Sequence, residues 1–196
     1  MILRAAPRPR VLLIRPGATE FDDQGRIKGS LDMPMSDSGR RQASDMADQL
    51  AGFEPGIIYT APCESAIETA KQLQRRFAQE GREVKIKPVD AFRNLDHGLW
   101  EGKLIDELRR NHPKLYRRGI EAADEIVPPG GESVVQAKHR VMKALTKINK
   151  KSSGVVAIVM PDPMGEIVRS LLVGQDELSN LWKFETDDAH WDLIEA

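Results

Sequence analysis

Short apolar runs alternate with helix-like segments along this chain, and this alternation constrains the fold more than any other feature. Val155–Val159 (VVAIV) is the clearest apolar run, and residues 11–14 (VLLI) form a second. Uninterrupted runs of this length are typical of strands buried on both faces of a parallel sheet. Strands that alternate with helices predict an α/β fold, with a mainly parallel sheet and helices on both faces.

The segments between the runs carry apolar residues at helical spacing. Ser36 is a suitable N-cap for the first of these helices, because its hydroxyl can accept a hydrogen bond from a free backbone N–H. Residues 57–59 and the alternating pair Val84 and Ile86 predict further strands, and residues 181–196 predict a C-terminal hairpin. The three best-defined apolar helix faces are Ala43, Met46, Ala47 and Leu50; Ala66, Ala70, Leu73 and Phe77; and Val134, Ala137, Val141, Leu145 and Ile148.

Composition narrows the class of protein. The chain has 196 residues, of which 40% are hydrophobic, and this suits a single domain over residues 1–196 with a substantial core. A net charge of -1 with interspersed signs gives no support for nucleic-acid or membrane binding. Cys63 is the one cysteine, so no intrachain disulfide can form, and residues 1–10 lack the apolar segment of a signal peptide. We therefore expect a cytoplasmic protein.

The ligand site of such a sheet has a predictable place. In parallel α/β sheets, ligands bind beyond the carboxyl ends of the strands. The residues that follow Ile14, Tyr59 and Val159 are therefore the first candidates for a functional site.

The residues at those strand ends resemble one family. Arg15, Gly17, Thr19 and Glu20 are similar to the opening motif of the histidine phosphatase, or phosphoglycerate mutase-like, superfamily. The resemblance implies that family's three-layer α/β sandwich. The further matches, in unbroken order, are Gly25, Arg26, Gly29, Asp32, Pro34, Gly39, Gln42 and Ala43; then 59–62 (YTAP) and 66–70 (AIETA); then Asp96, Gly98 and 100–102 (WEG); then 130–133 (GGES).

The resemblance also implies a chemistry that this chain is not equipped to perform. Members of the family hold phosphate between two histidines and two arginines, and a carboxylic acid protonates the leaving oxygen. Here Pro16 stands at the nucleophile, Ser65 at the second arginine and Asn94 at the acid. The second histidine is replaced by Pro161 or Asp162; counting back from Arg169 instead gives Met164. We therefore predict a pseudoenzyme with a vestigial phosphate cleft.

The residues that remain indicate weak anion binding at most. Arg15, Lys28, Ser65 and Asn94 are the candidates for contact with a phosphorylated small molecule; alternatively, Arg15 is structural and pairs with a carboxylate such as Asp162. No cofactor is expected. Asp22, Asp23 and Asp162 lack the spacing of a metal site. A protein partner is possible.

Other functions stay open. His97 or Asp162 could support relocated hydrolase chemistry in the same cleft, and a purely structural interaction subunit is a third alternative. Cys63 is expected to be buried filler rather than a nucleophile, although a helix N-terminus would favour its thiolate. The aromatic residues near the C-terminus, Trp182, Phe184 and Trp191, are expected in the core rather than at an interface.

Overall fold

The structure is a computed structural model that describes residues 10–123, 126–151, 154–174, 178, 181 and 190–195. Its described strands form one five-stranded sheet in the order β3-β2-β4-β1-β5. Neighbouring strands are parallel except β5, which runs antiparallel to β1 at one edge. The strands are β1 (Arg10–Ile14), β2 (Pro55–Thr60), β3 (Lys85–Pro88), β4 (Val155–Val159) and β5 (Trp191–Glu195).

Helices flank this sheet, which confirms the predicted fold class. α3 packs against β2, β3 and β4, whereas α7 packs against β1 and β5; α2 covers α3, and α6 covers α7. Short 3-10 turns at 90–92 and 98–100 precede α4 in the long connection after β3. The α-helices are α1 (Glu20–Asp23), α2 (Asp37–Gln49), α3 (Glu64–Gln79), α4 (Ile105–Asn111), α5 (Pro113–Glu121), α6 (Val134–Lys151) and α7 (Met164–Val173).

Local chemistry explains where these elements begin and which faces they bury. The hydroxyl of Ser36 accepts a hydrogen bond from Gly39 N–H at 3.1 Å, so the predicted N-cap of α2 is confirmed. Every residue of β4 is buried, as its uninterrupted apolar sequence predicts. The apolar faces of α2, α3 and α6 are buried too, except that Leu145 is half-buried. No helix among the described residues is long and apolar enough to cross a bilayer.

The predicted C-terminal hairpin, over residues 181–196, falls largely outside the described residues. Within them, β5 pairs antiparallel with β1 on the side away from β4. Trp191 packs edge-on against Phe53 at 5.3 Å between ring centroids, and its indole N–H donates to Gln49 at 3.2 Å. Trp182 and Phe184 lie outside the described residues.

The strand register brings three loops to one edge of the sheet. Ile14 lies opposite Val159, and Val159 lies opposite Thr60, so β1, β4 and β2 end at the same level. The loops that begin at Arg15, Ala61 and Met160 therefore start side by side, where the sequence predicts a ligand site.

Two glycines fix the loop that follows β1. A Cβ at Gly39 would lie 2.0 Å from the carbonyl oxygen of Ala18, and a Cβ at Gly17 would lie 2.2 Å from the carbonyl oxygen of Gly39. Backbone atoms cannot rotate away as flexible side chains can. The start of α2 therefore packs directly on the loop after β1, and only glycine fits at both positions.

We expect Gly39→Ala to destabilise the protein by about 1–3 kcal/mol, because the added methyl group must push two backbone segments apart. Gly52→Ala is the matched control, since a Cβ at Gly52 meets nothing within 4 Å. Urea unfolding of the two variants and the wild type measures both effects. Equal stabilities for the two variants would show that this backbone contact does not constrain the loop.

Candidate ligand cleft

A cleft of about 170 Å³ opens at the edge where β1, β2 and β4 end. Segments from four parts of the chain form its wall: the loop after α1, the start of α3, the loop after β3 and the loop after β4. The residues that line it are Lys28, Gly29, Ser30, Leu31, Asp32, Pro62, Cys63, Ser65, Arg93, Asn94 and Pro161. Three of the four anion-binding candidates, Lys28, Ser65 and Asn94, are thus together, whereas Arg15 is not part of this lining.

Pro16 is buried, two residues after the end of β1, and its side chain offers no reactive atom. Its ring nitrogen is part of a peptide bond, so it has neither a free lone pair nor a proton. The neighbouring backbone is held in place, because Gly17 N–H donates to Thr69 Oγ1 at 3.1 Å and Ala18 N–H donates to Gln42 Oε1 at 3.0 Å. The loop keeps a fixed shape without a nucleophile.

Ser65 lies in the first turn of α3 and is 1% exposed. Its hydroxyl is 3.7 Å from the sulfur of Cys63, and both residues line the cleft. Cys63 is half-buried at the N-cap of α3 and forms part of the cleft lining. The expectation that it is buried filler is therefore wrong in part. Both side chains are small, and Ser65 brings no charge to the cleft.

Asn94 ties two loops together. Its side chain is 6% exposed, and its Nδ2 donates to the carbonyl oxygens of Gly29 at 2.9 Å and Asp162 at 3.0 Å. Two carbonyl acceptors fix which end of the amide is nitrogen. Oδ1 is then a buried acceptor that has no hydrogen-bond donor in the described part of the chain. An amide in this arrangement positions backbone and has no acidic proton to give.

The loop after β4 and the start of α7 contain the three candidates for the second histidine position. Pro161 lines the cleft. Met164 is fully buried at the start of α7, with its sulfur 3.6 Å from a guanidinium nitrogen of Arg140. The carboxylate of Asp162 lies 3.6 Å from Nε of Arg15. The cleft therefore presents a proline on this side.

The cations near the cleft are already paired with aspartates. Arg15 contacts Asp162, and Lys28 Nζ lies 2.9 Å from Oδ2 of Asp22. Burial raises the pKa of Asp22, but the charge of Lys28 and hydrogen bonds from Thr19 outweigh it and leave this pKa below its usual value. The aspartate is therefore ionised at neutral pH and compensates the lysine.

Carboxylates of the chain also lie next to the positive N-terminus of α3 and next to the arginine at the rim of the cleft. Asp32 Oδ1 accepts a hydrogen bond from Glu64 N–H at 2.7 Å, so a carboxylate of the chain already occupies the electropositive start of the helix. Arg93 at the rim is half-exposed and lies 3.5 Å from Asp90 and 3.8 Å from Glu132. The sequence alone did not predict that Asp32 accepts a hydrogen bond at the start of α3, or that Arg93 lines the cleft. The available signal was their position in or beside the segments that resemble the family.

His97 is not placed for the relocated chemistry that its sequence position suggests. It is 1% exposed and is not part of the cleft lining. Burial lowers its pKa to about 4, although its contacts with Leu95 and Asp96 act in the opposite direction. A buried neutral imidazole in the loop after β3 is a packing residue. The described residues also contain no group of three potential metal ligands.

We expect His97 to make the protein sensitive to acid. An unfolded histidine takes up a proton near pH 6.5, but the pKa of folded His97 is about 4, so the unfolded state binds more protons between these values. Stability should therefore fall as pH decreases through that window, by about 3 kcal/mol from this residue. Unfolding free energies of wild type and His97→Gln across pH 4–7 isolate the contribution. If the difference in unfolding free energy between the two proteins stays constant from pH 7 to pH 4, the predicted contribution of His97 is contradicted.

The sequence of the chain is similar to that of a known protein family and of its named members. Residues 11–196 match the model of the histidine phosphatase superfamily (branch 1). The chain is 29% identical over 187 residues to phosphoserine phosphatase 1 of Hydrogenobacter thermophilus, covering 94% of this chain and 85% of that protein.

Two solved structures are also similar. Bacillus stearothermophilus YhfR superposes with a TM-score of 0.75 at 26% identity, over 89% of this chain and 84% of that one. The mycobacterial glucosyl-3-phosphoglycerate phosphatase Rv2419c, solved with inorganic phosphate, has a TM-score of 0.68 at 21% identity, covering 96% and 97% of the two chains. The second likeness concerns the fold alone.

Proposed function

Because the chain belongs to the histidine phosphatase superfamily, we propose that it is a non-catalytic member, a single domain over residues 1–196 whose cleft binds a small phosphorylated molecule weakly and does not cleave it. The observation that carries the proposal is Pro16, which stands two residues after the end of β1, at the position that the resemblance assigns to the family's nucleophilic histidine. A covalent phosphoryl-transfer mechanism cannot begin without a nucleophile.

The rest of the cleft supports the same conclusion. No histidine is among the described residues that line it. Asn94, at the position of the acid, uses both amide protons on backbone carbonyls, and Ser65 brings no charge to a phosphoryl oxygen. Loss of the nucleophile alone typically lowers the rate by about 10⁴–10⁶. At the proposed positions of the acid and the arginine, the described cleft has an amide and a hydroxyl, and neither replaces the lost group.

A phosphorylated partner remains the best candidate ligand. Arg93 and Lys28 are the cations in the cleft lining, and the hydroxyl of Ser65 can donate a hydrogen bond. Both cations already have carboxylate neighbours, so we propose millimolar affinity, roughly 4 kcal/mol of binding free energy. The mycobacterial phosphatase of the same fold was solved with inorganic phosphate.

A second candidate function is phosphomonoester hydrolysis by relocated residues. The similarity to an enzyme named phosphoserine phosphatase 1 along nearly the whole chain favours it. Cys63, at the start of α3, and Asp162, beside Arg15, are the groups near the cleft that could serve such chemistry. Neither has a histidine partner among the described cleft residues.

We expect the purified protein to release no phosphate from phosphoserine or from a generic phosphomonoester above the buffer rate, and to form no phosphohistidine. Phosphoserine phosphatase 1 of Hydrogenobacter thermophilus, assayed in parallel, is the positive control. Turnover that follows the protein through purification and disappears in Cys63→Ala or Asp162→Asn would contradict the proposal and favour the second candidate.

Restoring the nucleophile alone should not restore activity. In Pro16→His, the imidazole would lack the positive charge and the acid that stabilise the phosphoryl group in the transition state. Adding Ser65→Arg, Asn94→Glu and Pro161→His should give trace activity at most, because Asn94→Glu also removes the amide that holds Gly29 and Asp162. Asn94→Glu alone, followed by thermal unfolding, measures that structural loss. Strong activity from Pro16→His alone would show that the other positions are not limiting.

A further inference from the structure

Two ion pairs next to the cleft contain anions that the chain itself supplies: Lys28 lines the cleft, and Asp162, the partner of Arg15, follows Pro161 of the lining. Arg15 is paired with Asp162 and Lys28 with Asp22. The side chains of the first pair are 15% and 25% exposed, and those of the second are 11% and 18% exposed. Partly buried pairs are screened by salt much less than surface pairs. Each cation therefore faces a carboxylate that an incoming phosphate must displace.

From this arrangement we propose that Asp162 and Asp22 are specificity-determining residues: they act as built-in anions that keep Arg15 and Lys28 from binding phosphate. This inference rests on the proposed function, because it concerns the same cleft, and it explains why affinity there is weak. Replacing either carboxylate by an amide should free a cation for phosphate.

The carboxylate of Asp22 is held in position by hydrogen bonds, and Asp162 is held through its backbone. Oδ2 of Asp22 accepts hydrogen bonds from Thr19 N–H at 2.8 Å and Thr19 Oγ1 at 2.7 Å as well as the contact with Lys28. The backbone of Asp162 is fixed where its carbonyl oxygen accepts the amide of Asn94 at 3.0 Å. A fixed anion competes for its cation without losing freedom of its own, which strengthens the competition.

The test is a gain of binding, which an unfolded variant cannot imitate. Inorganic phosphate is titrated by calorimetry at low ionic strength into wild type, Asp162→Asn, Asp22→Asn and the double variant. Asparagine keeps the size of aspartate and removes its charge. We expect phosphate affinity to rise at least about tenfold in Asp162→Asn, and further in the double variant, because a cation no longer has a competing anion.

Asp48→Asn is the matched control. It also removes one negative charge from an ion pair, since Asp48 Oδ1 lies 2.8 Å from Nε of Arg76. This pair joins α2 to α3, and neither residue lines the cleft or adjoins in sequence a residue that does. Its phosphate affinity should equal that of wild type. An equal gain in Asp48→Asn would attribute the effect to net charge and would overturn the inference.

The remaining outcomes separate the inference from the proposed function. Adding Arg15→Ala to Asp162→Asn should return the affinity to the wild-type value. If wild type binds phosphate and the aspartate variants bind it equally, the inference fails and weak phosphate binding stands. If only the variants bind, the inference holds and phosphate is not the ligand of the wild-type cleft. If none binds, both fail.

Discussion

The parallel pairing of β1 with β4 is the interaction on which the rest of the structure depends. Both strands are almost entirely apolar, and each residue of β1 has a partner in β4, from Arg10 opposite Val155 to Ile14 opposite Val159. Such strands are buried on both faces, so no polar group can act from within the sheet. Chemistry is confined to the loops at the carboxyl edge, where the register brings the ends of β1, β4 and β2 together. A residue at the start of one of these loops has its position set by the sheet, whatever its side chain.

This separation explains how the fold can remain while the site changes. Pro16 and Pro161 stand in loops whose anchors are backbone hydrogen bonds of the sheet, so replacing a reactive side chain there costs the fold little. Arginine or lysine left near the cleft without an anion would carry an uncompensated, partly buried charge, which is costly. The aspartates opposite Arg15 and Lys28 remove that cost. The ion pairs are compatible with the proposed absence of catalytic residues, because they give Arg15 and Lys28 a counter-charge within the chain.

The sequence predicted the fold well because its signals are local. The apolar run of β4, the N-cap at Ser36 and the amphipathic face of α6 each indicate their own element. The partner of β5 was not predictable in this way, because a strand of five residues carries no information about which edge it joins. The same limit applies to the site. The motif makes Pro16, Ser65, Asn94 and Pro161 candidates, and their roles stay predictions. The two hydrogen bonds of Asn94 and the burial of His97 depend on contacts between distant segments, which no motif encodes.

The central claim is that Asp162 and Asp22 act as internal anions beside the cleft. The most direct test is whether Arg15 keeps its contact with Asp162 when phosphate is present. Heteronuclear NMR of the Arg15 Nε–H group, assigned with Arg15→Lys, follows that contact in solution during a titration with phosphate to about tenfold above the millimolar range. We expect the Arg15 resonance to stay in place while backbone amides near Ser65 and Arg93 shift. A saturable shift of the Arg15 resonance in step with phosphate would contradict this view, because it would show that Asp162 yields Arg15 to the ligand.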